Sequence, residues 1–237
     1  MSFVNLAHGS LYMVGAYLAA FAYERSGNFA VAVLTAAAGA TVVGWVLEWV
    51  AVSRLYRRDH LDHVLATFGL VLFFNELARI IWGPQPYYIP VPELLSGTVN
   101  LFGFGYPSYR FAIIGTGLLI AVASWLLIHK TRMGMLIRAG AQNPLMVAAL
   151  GVNIRLLNAV LFALGAMLAG LAGAMAAPIL SVQAGMGDGV LITTLVVIVI
   201  GGIGSVGGAF YAALIVGLVD TLGRAFLPLL LRQVAER

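Results

Sequence analysis

YRFAIIGTGLLIAVASWLLIH, residues 109–129, decides the fold. Past Arg110 it carries no Asp, Glu, Lys or Arg, and Lys130 and Arg132 follow at once. About 20 mostly apolar residues are enough to cross a bilayer as a helix. The same pattern recurs on both sides. Leu6–Tyr23, Phe29–Val50, His63–Trp82, Leu156–Ala177 and Ala209–Phe226 are apolar runs separated by short polar or glycine- and proline-rich breaks. Leu191–Ile200 is too short to span alone, so it reads as half of a broken helix or as a re-entrant segment. Charged residues make up 9% of the chain and hydrophobic ones 62%, against roughly 25% charged in a soluble domain. The expected architecture is all-α: a polytopic transmembrane helix bundle with one broken or re-entrant segment, forming a single domain over residues 1–237.

The basic residues set the orientation. Arg54, Arg57 and Arg58 form one cluster, and Lys130, Arg132, Arg138 and Arg155 another. Gly83–Ser108, between them, has no Lys or Arg. The positive-inside rule makes both clusters cytoplasmic and the intervening loop external. Arg224, Arg232 and Arg237 favour the cytoplasmic side for the C-terminal end, which the uncertain path of Leu191–Ile200 leaves undecided. Trp45, Trp49, Trp82, Tyr87 and Tyr88 flank runs as interface belts do. These charges punctuate apolar segments and build no basic face, which argues against nucleic-acid binding. Cysteine is absent, so there is no disulfide framework and no thiolate metal site. The start lacks the positive n-region of a cleavable signal.

The most informative local motif lies in the second basic cluster, from Arg138 and Ala139 through Gln142, Asn143, Pro144 and Ala148 to Gly151. Asn143 suits an N-cap, Pro144 the first helical position, and Gly151 the positive-φ position after a helix. The segment reads as a short capped helix between two spanning helices, suited either to a groove on a cytoplasmic partner or to the lipid interface. Further along, Gly165, Ala169, Gly173 and Ala177 make a small-residue stripe that lets another helix approach closely. Asn5, His8 and Tyr12 share one helical face; polar groups at membrane depth line a substrate path or bond neighbouring helices. Glu76 with Arg79, and Asp220 with Arg224, have intrahelical pair spacing. Asp59, His60, Asp62 and His63 read as a solvated helix start, not a metal site. Gly202–Gly207 spells G-x-G-x-x-G after Leu195–Ile200, but the βαβ context and the acidic residue a dinucleotide site needs are missing. A tight backbone crossing built on Gly201, Gly202, Gly204, Gly207 and Gly208 is the better reading.

Several of these segments, in order, resemble the branched-chain amino acid permeases of ABC importers, the LivH type. Thr131-Arg132-Met133-Gly134, Arg138-Ala139, Gln142-Asn143, Ala148–Asn153 and Arg155 are similar to that family's ATPase-coupling loop. Asn5-Leu6-Ala7-His8-Gly9 followed by Tyr12-Met13 and Gly15-Ala16-Tyr17 resembles its N-terminal motif, and Val199–Ala209 its glycine signature. Glu48, Arg54, Thr67, Gly69 and Asn75 fall in similar order, as do Gly165, Ala169-Gly170, Ala172-Gly173 and Pro178. The family normally has a spanning segment before Asn5 and a further helix after Arg232, so the chain is expected to be shortened at both ends.

The resemblance implies a transport subunit without catalytic residues, metal or cofactor, in the inner membrane of a bacterium. Its implied partners are a second homologous permease subunit, two cytoplasmic ATPases and a periplasmic substrate-binding protein. Arg138, Ala139, Gln142, Asn143, Pro144, Ala148 and Gly151 would couple to the ATPases. The family's helix discontinuity near Asn5, His8, Gly9 and Tyr12 favours the substrate-path reading there. The chain has no G-x-x-x-x-G-K-[ST] loop with which to use ATP itself. Permeases for urea or short amides in the same family remain alternatives, as does an autonomous secondary transporter, though no internal repeat is evident. An intramembrane serine hydrolase would need a G-x-S turn, and Ser205 follows Gly204 directly.

Overall fold

The computed structural model describes residues 5–56, 58–101, 103–202 and 204–235. The helices are α1 (Ala7–Ser26), α2 (Phe29–Leu47), α3 (Ser53–Leu55), α4 (His60–Trp82), α5 (Ser108–Lys130), α6 (Arg132–Gln142), α7 (Pro144–Ala149), α8 (Ile154–Ala176), α9 (Met186–Gly201) and α10 (Val206–Ala235). Five stretches among the described residues are long and apolar enough to cross a membrane: Phe29–Leu55, Leu61–Trp82, Ser108–Lys130, Ile154–Ala176 and Val206–Phe226. The chain forms two compact units, Phe3–Gly189 and Val190–Arg237.

In the first unit α1 is the core helix. Ala7, Leu11, Met13, Ala16 and Ala19 are fully buried, and α1 packs on α2, α4 and α8. Small residues make this possible. A Cβ on Gly15 would collide with the Gly170 backbone, and one on Gly170 would meet the Ala40 methyl and lie 3.0 Å from the Ala36 carbonyl oxygen. Van der Waals contact between backbones is what holds helices together where lipid is as apolar as the side chains. Gly27, at φ 63°, ends α1, and the Asn28 side chain accepts from the Ala30 N–H to start α2. α2 runs through a π-turn, Glu48–Val52, into α3. Glu48 is buried there and is hydrogen-bonded to Tyr56. Burial first, and the Glu48 carboxylate second, push the Tyr56 phenol well above its usual range, so it stays a donor.

α1 and α8 run parallel. His8 stands opposite Gly165, and Tyr12 and Ala16 stand opposite Gly173. Gly165 is the middle residue of α8, so α1 begins level with the middle of that helix. After α8 the chain turns back. Val182 pairs with Tyr87, in the loop between α4 and α5, through two backbone hydrogen bonds of 2.9 Å. The Gly185 N–H then faces the Met13 sulfur at 3.4 Å, and Gly187 sits against Gly9. Ala177–Gly185 is therefore irregular backbone that re-enters the unit. Ala177 and Val182 are buried in it, the condition under which a membrane tolerates such backbone. The apolar run Leu191–Ile200, expected to be half of a broken helix or a re-entrant segment, lies inside α9, which starts at Met186 and continues through it to Gly201.

The loop between α4 and α5 holds a structure that composition did not suggest: an antiparallel hairpin, β1 (Thr98–Leu101) and β2 (Phe104–Pro107), with Thr98 opposite Pro107 and Leu101 opposite Phe104. Gly103, at φ 89°, lies in its turn. The Ser108 N–H and hydroxyl both donate to the Gly97 carbonyl. In the second unit, Gly202 and Gly204 have φ of 84° and 88°. The α9–α10 corner is tight enough that a Cβ on Gly201 would lie 2.6 Å from the Gly208 carbonyl carbon.

Candidate functional site

Asn5, His8, Gly9 and Tyr12 come together at the start of α1. The Asn5 Oδ1 accepts from the Ala7 N–H at 3.0 Å, whereas its Nδ2 is buried without a partner. The His8 ring meets Phe162 edge-on at 5.3 Å, and a Cβ on Gly165 would lie 2.9 Å from His8 Nε2. Gly9 is buried, and a Cβ on Gly187 would be 2.6 Å from its carbonyl carbon. Tyr12 is 6% exposed. On the next face, Ser10 is 3% exposed and its hydroxyl has no partner. The start of α1 is thus a junction of α1, the middle of α8 and the first turn of α9, with unpaired polar atoms in it. Asp188, exposed, is the next residue after Gly187.

A different assembly occupies the basic end of the unit. The Thr131 hydroxyl accepts from the Gly134 N–H at 3.1 Å and starts α6. Arg138, exposed on α6, donates to the Ile128 carbonyl in the last turn of α5. Orphan carbonyls and the negative end of the helix dipole both favour a guanidinium there. Ala139 accepts from the Asn143 N–H at 2.9 Å, closing α6. Asn143 Oδ1 accepts from the Met146 N–H at 3.0 Å, and Pro144 occupies the first turn. At the far end the Gly151 N–H donates to Ala148 and the Val152 N–H to Val147, with Gly151 at φ 85°. That is a Schellman closure. Only the Val147 side chain of α7 is buried; Leu145, Met146 and Leu150 are 82%, 61% and 78% exposed, and Gln142 is exposed beside them.

Residues 1–234 match the family described as "Branched-chain amino acid transport system / permease component". The chain belongs to this family. It is 27% identical to the high-affinity branched-chain amino acid transport system permease protein LivH of Salmonella typhimurium, over 94% of this chain and 77% of that protein. It is 30% identical to the corresponding permease protein BraD of Pseudomonas aeruginosa, over 93% of this chain and 76% of the relative. The ribose import permease protein RbsC of Escherichia coli is 24% identical, over 92% and 68%. No solved structure matches.

The remaining positions of interest in this permease serve packing. On α8, Gly165 and Gly173 face α1, Ala177 is buried, and Ala169 is partly buried against the core. In the second unit Gly201 and Gly208 touch and Gly202 and Gly204 make the turn, while a Cβ on Gly207 would meet nothing within 4 Å. Leu195–Ile200 is helical, which removes the strand that a dinucleotide fingerprint requires. His63 is buried with Nδ1 2.9 Å from the Asp59 carbonyl oxygen, at the start of α4. Glu76–Arg79 and Asp220–Arg224 form ion pairs at 2.8 and 3.0 Å, all four side chains more than half exposed. A groove of about 350 Å3 between α5 and α8, lined by Ile113, Thr116, Gly117, Ile120, Leu171 and Met175, exposes almost no polar surface and has no charged group in its lining.

Sequence reasoning missed three residues that hold this arrangement. Tyr109 is 2% exposed and its hydroxyl donates to the Met175 carbonyl at 2.8 Å, tying α5 to α8. Asn153 Oδ1 accepts from the Leu156 N–H and caps α8; Asn153 stands just before an apolar run, which was the available signal. Tyr56, the partner of buried Glu48, had no signal, because the π-turn that brings them together has no sequence signature.

Proposed function

We propose that this permease carries branched-chain amino acids in an ATP-driven importer of a bacterial inner membrane. Its partners are a second, homologous permease subunit, two cytoplasmic ATPases and a periplasmic binding protein. The observation that carries the reading is α7, a helix capped at both ends that holds three large apolar side chains away from the protein on the basic, cytoplasmic side. A short helix fixed by its own caps keeps its shape under load, and an apolar face of this kind fits a groove on a soluble partner. Arg138 and Thr131 join α6 to the end of α5, so movement of α7 reaches a spanning helix. At the other end of the path, Asn5, His8, Gly9 and Tyr12 are the proposed lining of the substrate route. Discontinuous helices at half depth are where transporters hold their cargo. The similarity to both branched-chain and ribose permeases supports selection of substrate by local side chains and by the binding protein, on a common scaffold.

The test is uptake in vesicles containing the permease with its ATPases and binding protein. Leucine uptake should require ATP and persist when ion gradients are collapsed. Asn143→Ala combined with Pro144→Ala should leave the subunit in the membrane and abolish uptake. Wild-type uptake in that double variant would refute the coupling assignment, and uptake that follows an ion gradient without ATP would establish an autonomous carrier.

A further inference from the structure

We infer that Arg110 and the groove between α5 and α8 bind one phospholipid, its phosphate at the guanidinium and an acyl chain in the groove. The inference goes beyond the importer reading and needs only that α5 and α8 cross the membrane. α5 has 23 residues, about 34 Å at 1.5 Å each, against a hydrocarbon core of ~30 Å. Charges mark its two ends, Arg110 in the first turn and Lys130 at the last position. Arg110 therefore stands at the headgroup level. It is the one Lys or Arg between Arg79 and Lys130, and it is exposed. Ion pairs among the described residues join Glu76 to Arg79 and Asp220 to Arg224; neither includes Arg110 or Glu93, the acid of the preceding loop. The first turn of α5 holds no acidic residue, and its N-cap makes no side-chain bond, so the positive helix end and the guanidinium together favour an anion. The hairpin holds Arg110 in place. Its guanidinium lies over the Tyr106 ring, 5.6 Å from the centroid, and that ring meets Phe111 edge-on at 5.2 Å.

The groove starts one turn further in. Arg110, Ile113, Gly117 and Ile120 recur at i, i+3, i+7 and i+10, on one side of α5, and the last three line the groove with Leu171 and Met175 of α8. The Tyr109 hydroxyl on the Met175 carbonyl joins the two helices at this end, and the lining exposes almost no polar surface. A cation at the membrane surface with an apolar slot beneath it has the order of a phospholipid, an anionic head and then hydrocarbon. An apolar helix of a partner protein would fill the slot and leave the Arg110 charge unmatched. Free phosphate would match the charge and leave the slot empty.

The chain has no cysteine. A Cβ at Gly117, or at Gly115 on the opposite side of α5, would meet nothing within 4 Å. Gly117→Cys thus puts a single thiol in the groove, and Gly115→Cys puts one on the far side. The permease is purified in detergent with the subunits that accompany it and stripped until no lipid phosphorus is detected. Dilauroyl phosphatidylglycerol, at about nine times its half-saturating concentration, should slow maleimide labelling at position 117 about tenfold and leave position 115 unchanged. Dilauroylglycerol has the same chains and no phosphate, and glycerol 3-phosphate has the phosphate and no chains; neither should protect at that concentration. Arg110→Gln should raise the half-saturating concentration roughly tenfold or more. Equal protection by dilauroylglycerol, equal protection at position 115, or protection unchanged by Arg110→Gln overturns the site, leaving unspecific lipid contact. Protection by glycerol 3-phosphate would reveal a free-phosphate site and also overturn it. So would a thiol at position 117 that reacts only after denaturation of the stripped protein, because a protein surface would then cover the groove. If Arg110→Gln fails to assemble, the comparison of the three ligands still decides.

Discussion

At Gly170 an atom of another helix stands wherever a methyl group would go: the Ala40 methyl on one side, the Ala36 carbonyl and Gly15 on the other. Gly173 is in the same position against the Tyr12 carbonyl and the Ala16 N–H. Neither neighbour is the flexible end of a side chain, so neither can yield cheaply. Gly173→Ala should destabilise the subunit by about 1–3 kcal/mol, the usual range for overpacking a tight core, read as a fall in the thermal midpoint in detergent. Gly217→Ala, where a Cβ meets nothing within 4 Å, should be neutral or slightly stabilising, since alanine is the better helix former. Tyr109→Phe removes one hydrogen bond between α5 and α8 and should cost about 0.5–1.5 kcal/mol in the same assay. The sequence showed the small-residue stripe on α8 but not its partners, because a stripe says that something comes close and not what.

The elements differ in how far local chemistry determines them. α7 was legible in full, since Asn143, Pro144 and Gly151 each satisfy a backbone requirement within a few residues of themselves. Asn143→Ala should weaken that helix by about 1 kcal/mol, visible as faster amide exchange at Leu145 and Met146. α9 was legible only from Leu191 on. Its first turn contains Gly187 and Gly189, which disfavour helix by ~1 kcal/mol each relative to alanine, and it forms because Gly187 finds Gly9. The hairpin at Thr98–Pro107 was hidden in a loop rich in proline and glycine, and the Tyr87–Val182 pairing that anchors the loop joins residues distant in sequence. The π-turn at Glu48 is comparable: Tyr56→Phe should leave a buried carboxylate without its donor and cost about 1–3 kcal/mol, again read by thermal unfolding.

For the whole molecule, the positions of arginine and lysine predict an orientation, and five helical stretches among the described residues are long enough to cross a membrane. The cysteine-free chain makes the orientation simple to check. Ser96→Cys, on the exposed outer loop, should react with a membrane-impermeant thiol reagent in intact cells. Gln142→Cys, at the exposed end of α6, should react only after the membrane is opened. The opposite pattern would invert every side assigned above. Composition was sufficient for the spanning helices, because the cost of placing charge in hydrocarbon bears on every residue of a span at once.

The two hydrogen bonds between Tyr87 and Val182 make a rivet between parts of the chain far apart in sequence. Tyr87 also donates its hydroxyl to the Trp82 carbonyl at the end of α4, so the outer loop is fixed to a spanning helix on one side and to the re-entering strand of backbone on the other. From Val182 to Met186 the chain is a short tether, with each extended residue spanning about 3.3 Å. The loop between α4 and α5 is therefore linked through a few residues of backbone to the start of α9, where Gly187 meets Gly9. Residue 87 and the first turn of α9 are thus mechanically neighbours, with no long helix standing between them.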